Sequence, residues 1–101
     1  MKSQQLTLPR NDLKKQEILS KIAEKIEENK EYNEEEINVI VKSFNVDDYT
    51  LFRRELVNFN YLGKDTEKGI YWLKKAKLSQ EDLDKIGKAQ EKRVKNEMEE
   101  G

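Results

Sequence analysis

Apolar positions recur three times at helical spacing along this chain and then switch to alternation. Ile18, Leu19, Ile22 and Ile26 fall on one face of a helix, with Ala23 at its edge. At 100° per residue they span about 100°, the width of a core-facing stripe. Pro9 precedes the pattern, Asn11 or Asp12 can cap it, and Asn29-Lys30-Glu31 closes it, which predicts a first helix over about 12–29. A second start follows at once. Asn33 stands three residues before Glu36 in the manner of a capping box, and Tyr32 and Ile37 have the spacing of a hydrophobic staple. Glu34, Glu35 and Glu36 crowd the first turn, where the helix dipole favours anions. Ile37, Ile40, Val41 and Phe44 complete a helix over about 34–44.

Asn45-Val46-Asp47-Asp48 reads as a short turn ending in a new cap, with Val46 able to staple onto Leu51. Tyr49, Phe52, Leu56 and Phe59 then share one face of a helix over about 48–59, with Thr50, Arg53, Arg54, Val57 and Asn58 round the other. Beyond it the period shortens. Tyr61-Leu62 and Ile70-Tyr71-Trp72-Leu73 are aromatic and branched, and the polar loop 63–69 between them is bounded by glycines, which is a hairpin signal. In the second strand Ile70 and Trp72 share one face, and that phase assigns Trp72 to the core. Tyr32 can add a short third strand ahead of the second helix. Ser79, with Asp82 three residues on, opens a last helix over about 80–97. Its stripe of Leu83, Ile86, Val94 and Met98 is thin and is broken by Gly87 and Gln90. Such a helix docks, pairs with a second copy, or frays.

This order predicts an α+β fold of winged helix-turn-helix type: three helices and a β-hairpin wing, with a C-terminal helical extension. It divides the chain into a flexible leader over 1–9, a domain over 10–75, and the extension over 76–101. Helix 48–59 would be the recognition helix and loop 63–69 the wing.

Composition changes the picture mainly by exclusion. Among 101 residues, 41% are charged and 35% hydrophobic, which allows one small domain with solvated ends. There is no Cys and no His, so zinc fingers, Cys–His nucleophiles, disulfide scaffolds and haem attachment are excluded. No Gly-rich phosphate loop is present either, and the reading is not an enzyme, with no cofactor and no metal. Asp47-Asp48 and Glu34-Glu35-Glu36 are explained as helix starts rather than as an acid/base or metal pair. No apolar run approaches the ~20 residues of a transmembrane helix. Met1-Lys2-Ser3-Gln4-Gln5 is not followed by the apolar core of a signal peptide, so a cytoplasmic chain without membrane contact is expected.

Charge narrows the choice of partners. The net charge of −1 divides as +2 over 1–30, −3 over 31–46, +1 over 47–75 and −1 over 76–101. No segment is a basic block, so DNA affinity would depend on a few placed cations and would be salt-sensitive. The candidates are Thr50, Arg53, Arg54 and Asn58 on the recognition helix, with Lys64 and Lys68 in the wing. Arg53 and Arg54 can meet phosphate or guanine O6 and N7. The plainer reading has Arg53 laid along the core edge and paired with an acid such as Glu36 or Asp48. Thr50 and Asn58 flank Arg54 at i−4 and i+4 and are equally ordinary solvated positions. Asp65 and Glu67 lie between Lys64 and Lys68 and oppose their field.

The residues also resemble a known family. Tyr32-Asn33-Glu34-Glu35-Glu36-Ile37-Asn38-Val39-Ile40, then Phe44, the run Asp48-Tyr49-Thr50-Leu51-Phe52-Arg53-Arg54-Glu55-Leu56-Val57, then Tyr61-Leu62, and the closing Tyr71-Trp72 are similar to bacterial domain-of-unknown-function family 2087. A Leu8-Pro9-Arg10 lead-in suits it, and the likeness spans about 8–74. Leu73 stands where the family often has Arg, and Asn45 where it often has His or Asp. The resemblance implies a small winged-helix-like domain, found alone or appended to bacterial transcriptional regulators, and carries no established biochemical activity. Two functions follow as expectations. One is a DNA-binding or transcription-associated module contacting duplex DNA through the six residues above. The other is a protein-interaction module on the same scaffold, meeting another protein or a second copy through the C-terminal helix.

Overall fold

The computed structural model describes residues 5–100 of the chain, with side chains through Gln90. Within them the fold is α+β, in the order α1 Asp12–Ala23, β1 Glu31–Asn33, α2 Glu34–Lys42, α3 Tyr49–Asn58, β2 Leu62–Asp65, β3 Ile70–Leu73 and α4 Gln80–Glu100. The strands form one antiparallel sheet in the order β1-β3-β2. The short strand anticipated at Tyr32 is β1, and it pairs with β3 opposite Tyr71.

Local signals fix the helix starts. Asn11 Oδ1 accepts from the Lys14 amide at 3.0 Å and caps α1. Asn33 and Glu36 make a full capping box on α2, with bonds of 2.8 and 2.9 Å. Asp48 Oδ1 accepts from the Leu51 amide at 3.1 Å and caps α3. Ser79 Oγ and Asp82 Oδ2 exchange bonds of 3.2 Å with each other's backbone amides at the start of α4.

The ends depart from the pattern. α1 stops at Ala23 rather than near 29, because the Lys25 and Ile26 amides turn back to Ile22 and Ala23 at 3.0 Å. The next amide, Glu27, is taken by the Tyr32 hydroxyl oxygen at 3.0 Å, so the helix has no donor to continue with. Ile26 still reaches the core from this turn. α2 closes two residues early, into a turn with Asn45 at φ 55°. α3 ends in a Schellman turn: the Asn60 amide reaches Val57 O and the Tyr61 amide reaches Leu56 O, with Asn60 at φ 67°. That turn sends the chain straight into β2.

The core gathers Leu19, Ile22 and Ala23 of α1, Ile37 and Val41 of α2, Phe52 and Leu56 of α3, and Tyr32, Tyr61, Leu62 and Tyr71. The anticipated leader is docked from Leu6 onward. Leu6 bridges to Val46, with bonds of 2.8 Å to Asn45 O and 3.1 Å from the Asp47 amide, and Leu8 is buried.

Three expectations are corrected. β2 runs to Asp65, so Gly63 and Lys64 lie in the strand and the hairpin turn is only 66–69. Asp65 Oδ1 accepts from the Glu67 and Lys68 amides, and Gly69 closes the turn at φ 65°. The hairpin also presents the opposite face to the one its phase suggested: Tyr71 is buried at 2% exposure and Trp72 is 37% exposed. Trp72 lies flat over its cross-strand partner Gly63, where a Cβ would overlap the indole. Tyr49 is not a core residue either; it is exposed, under the Lys42 ammonium at 4.2 Å.

α4 docks on α1. Leu83 and Ile86 pack against the core, and Gly87 faces Leu13, whose methyl a Cβ added at Gly87 would meet in ordinary contact. Gln90 accepts from the Asp12 backbone amide at the start of α1. Gly87 and Gln90, which interrupt the apolar stripe, are therefore contact positions. The anticipated contacts at Val94 and Met98 lie beyond the described side chains. Among the described residues, no helix is long and apolar enough to cross a membrane.

Candidate nucleic-acid interface

Two shallow concavities are relevant, and they lie at opposite ends of the molecule's chemistry. The first forms where α3 meets the hairpin. On α3, positions 53, 54, 57 and 58 share one face. The Schellman turn then folds β2 back beside that face, and β3 pairs Tyr71 opposite Lys64. Arg53, Arg54, Val57, Asn58, Lys64 and Tyr71 together line a hollow of about 210 Å³.

Four of the six residues expected from the sequence thus meet in one place: Arg53, Arg54, Asn58 and Lys64. Thr50 is exposed on the same face of α3, one turn towards its N-terminus and outside the hollow. Lys68 is exposed in the hairpin turn and also outside it.

The cations differ in how they are held. Lys64 Nζ sits 5.5 Å from the centroid of the Tyr71 ring, a cation–π contact that keeps the ammonium at the lip. Arg54 and Asn58 are exposed. Arg53 is tied down: Nη1 donates to Asn38 Oδ1 at 2.5 Å, and Nη2 is 3.5 Å from Glu34 Oε1. Its side chain is only 14% exposed. The core-edge reading of Arg53 is therefore right in kind, but its acid is Glu34 rather than Glu36 or Asp48. Those two are engaged as helix caps. The Tyr71 hydroxyl donates to the same Glu34 oxygen at 3.4 Å.

Glu34, Asn38 and Tyr71 were not among the six interface candidates, although Glu34 was weighed as part of an acidic helix start. Glu34 and Asn38 are four apart and so share a face of α2, which was a usable signal. Tyr71 became visible only with the hairpin register. Chemically, the hollow can bind an anion: guanidinium and ammonium groups with an amide beside them are the usual partners of phosphate oxygens.

The second concavity, about 360 Å³, lies between α1 and the 77–83 segment. Leu13, Gln16, Tyr61, Leu78 and Leu83 line it. At its floor the Tyr61 hydroxyl donates to Gln16 Oε1 at 2.8 Å, and Gln16 Nε2 donates to Asp12 O at 2.7 Å. Burial, with the Asp82 carboxylate adding to it, pushes the Tyr61 phenol up to about 12. The polar groups at its floor, the Tyr61 phenol and the Gln16 amide, are thus neutral and paired with each other, while Glu17, Ser20 and Lys77 also line it. Among the described residues, no group of three or more acidic side chains is placed to hold a metal ion.

A model of the family described as "Uncharacterized protein conserved in bacteria (DUF2087)" matches residues 6–73, more than half of the chain. The match opens at Leu6, which bridges to Val46, and closes at Leu73, the last residue of β3, so it holds the whole α3–hairpin hollow and leaves out α4. Comparison with curated proteins and with solved structures gave no match.

Proposed function

The chain belongs to this bacterial family of uncharacterized proteins, and we propose that it is a DNA-binding, transcription-associated module of winged-helix type. In this reading α2, the 43–48 turn and α3 are the helix-turn-helix, α3 enters the major groove, and the β2–β3 hairpin is the wing. One observation carries it: Arg53, Arg54, Asn58 and Lys64, drawn from the helix and the hairpin, line a single hollow. Arg54 and Asn58 reach base edges or phosphates, while Lys64 meets the backbone. Thr50 extends the contact along α3, and Lys68 extends it along the hairpin.

The test is an amide NMR titration of the labelled protein with a mixed-sequence DNA duplex at low and then moderate salt. Shifts are expected at 50–58 and 62–69 and should fade as salt rises. With roughly three phosphates neutralised, log affinity should fall by about 3 per decade of salt. Arg54→Glu should weaken binding by about tenfold or more, since it removes one phosphate contact and adds a repulsive charge. An unperturbed spectrum at low salt would end this reading. It would turn attention to the second one, a protein-interaction module, which the apolar α1–α4 groove favours.

A further inference from the structure

Glu34 stands in an unusual position for an acid beside a DNA-facing hollow. It is the first residue of α2 and its side chain is 58% exposed, yet one of its carboxylate oxygens, Oε1, meets both the Arg53 guanidinium at 3.5 Å and the Tyr71 hydroxyl at 3.4 Å. A guanidinium and a phenol hydroxyl converging on one anionic oxygen are what a phosphate oxygen would meet in the same place. Both contacts are long, and the pair is open to water on the Glu34 side, so the carboxylate is held weakly. Arg53 itself is held more firmly by Asn38, through its other terminal nitrogen. Asn38 would keep the guanidinium aimed at the hollow once the carboxylate leaves.

We propose that Glu34 is a built-in counter-anion for Arg53, displaced by a backbone phosphate when duplex DNA enters the hollow between α3 and the hairpin. The proposal rests on the DNA reading above and adds a control on affinity to it. Free Arg53 would be a bidentate phosphate partner. Neutralised by Glu34, it contributes position but little net attraction, which tunes a near-neutral chain towards weak, salt-sensitive binding.

The test compares Glu34→Gln with Glu35→Gln in fluorescence anisotropy with a mixed-sequence duplex over a range of salt. Both changes remove one negative charge from the same helical turn. Glu35 is exposed, and neither change touches the Asn33–Glu36 capping box that starts α2. Glu34→Gln should tighten binding several-fold and steepen the salt dependence by about one unit, and Glu35→Gln should do distinctly less. Equal gains for the two variants would reduce Glu34 to general charge and overturn the proposal. No gain for Glu34→Gln, with Arg54→Glu still weakening binding, would overturn it while leaving the DNA reading standing. Absence of binding by the unaltered chain at low salt would remove both.

Discussion

On the α1–α4 side of the molecule, polar groups are turned inward and spent on one another. Gln16 bridges the Tyr61 hydroxyl and the Asp12 carbonyl, and Gln90 takes the Asp12 amide. On the α3–hairpin side, polar groups are turned outward: Arg54 and Asn58 are exposed, and Lys64 rests on an aromatic face. Both sides present a hollow, but the energetic logic is opposite. A buried amide or phenol must be paired or it costs the fold. An exposed guanidinium costs nothing when left open, so its placement is free to serve a ligand. The difference separates polar residues that hold this fold from those that are free to act.

The largest effect should come from the inward side. Tyr61 is fully buried, so Tyr61→Ala should lower stability by about 3–5 kcal/mol in urea unfolding. Arg54→Ala, on the outward side, should stay within about 0.5 kcal/mol while weakening DNA binding. A large stability loss at Arg54 would break the contrast. The phenol adds a pH signature. Its folded value is about 12 against 10.0 in the open chain, so the neutral form is favoured by folding. That contribution is present below pH 10 and is lost as pH rises through about 12. Tyr61→Phe should flatten this alkaline fall.

A subtler break lies in the hairpin that links the two sides. Gly63→Ala would drive a methyl into the Trp72 ring, which must lift or tilt. The expected cost is about 1–3 kcal/mol. Trp72 is the only tryptophan, so its emission should report the displacement directly. Because Lys64 follows Gly63 in β2, a shifted hairpin should also weaken DNA binding, although no charge has changed. Unchanged stability and emission would show that the indole does not rest on Gly63.

Helix starts and the hairpin mark how far the sequence could be read. The starts of α2 and α3 were legible at Asn33, Glu36 and Asp48, because a cap is settled by side chains within three residues of the amides it serves. The cluster of Arg53, Arg54 and Asn58 was legible for a like reason: helical spacing puts them on one side of α3. What escaped was decided at a distance. Alternation shows that Tyr71 and Trp72 face opposite ways but not which way is inward, and that choice depends on Gly63 across the sheet. The end of α1 depends on a hydroxyl from Tyr32. Gln16, Gly87 and Gln90 read as polar or broken positions because pattern counting has no means of seeing the partner that makes each fit. Glu34 escaped as well, since its place in the acidic first turn already had a sufficient local explanation.

The smallest expected effect concerns how α4 is joined to the rest. Asp82 accepts from the Lys75 ammonium at 2.7 Å and from the Ser79 amide, and these bonds, the lysine first, hold its carboxyl down at about 2, below the usual 3.8. The folded state therefore favours the charged form. Stability from this carboxylate is present above about pH 4 and is lost as pH falls through about 2. Asp82→Asn should make the acid side of the stability profile shallower and fray the first turn of α4, read as faster amide exchange at 80–84. The 62–69 hairpin should be untouched, because the groups that hold Asp82, the Lys75 ammonium and the Ser79 amide, lie outside it. If exchange instead rose across α4 and the α3–hairpin hollow together, the two sides would be one cooperative unit. The contrast between them would then describe where polar groups point, not how the molecule opens.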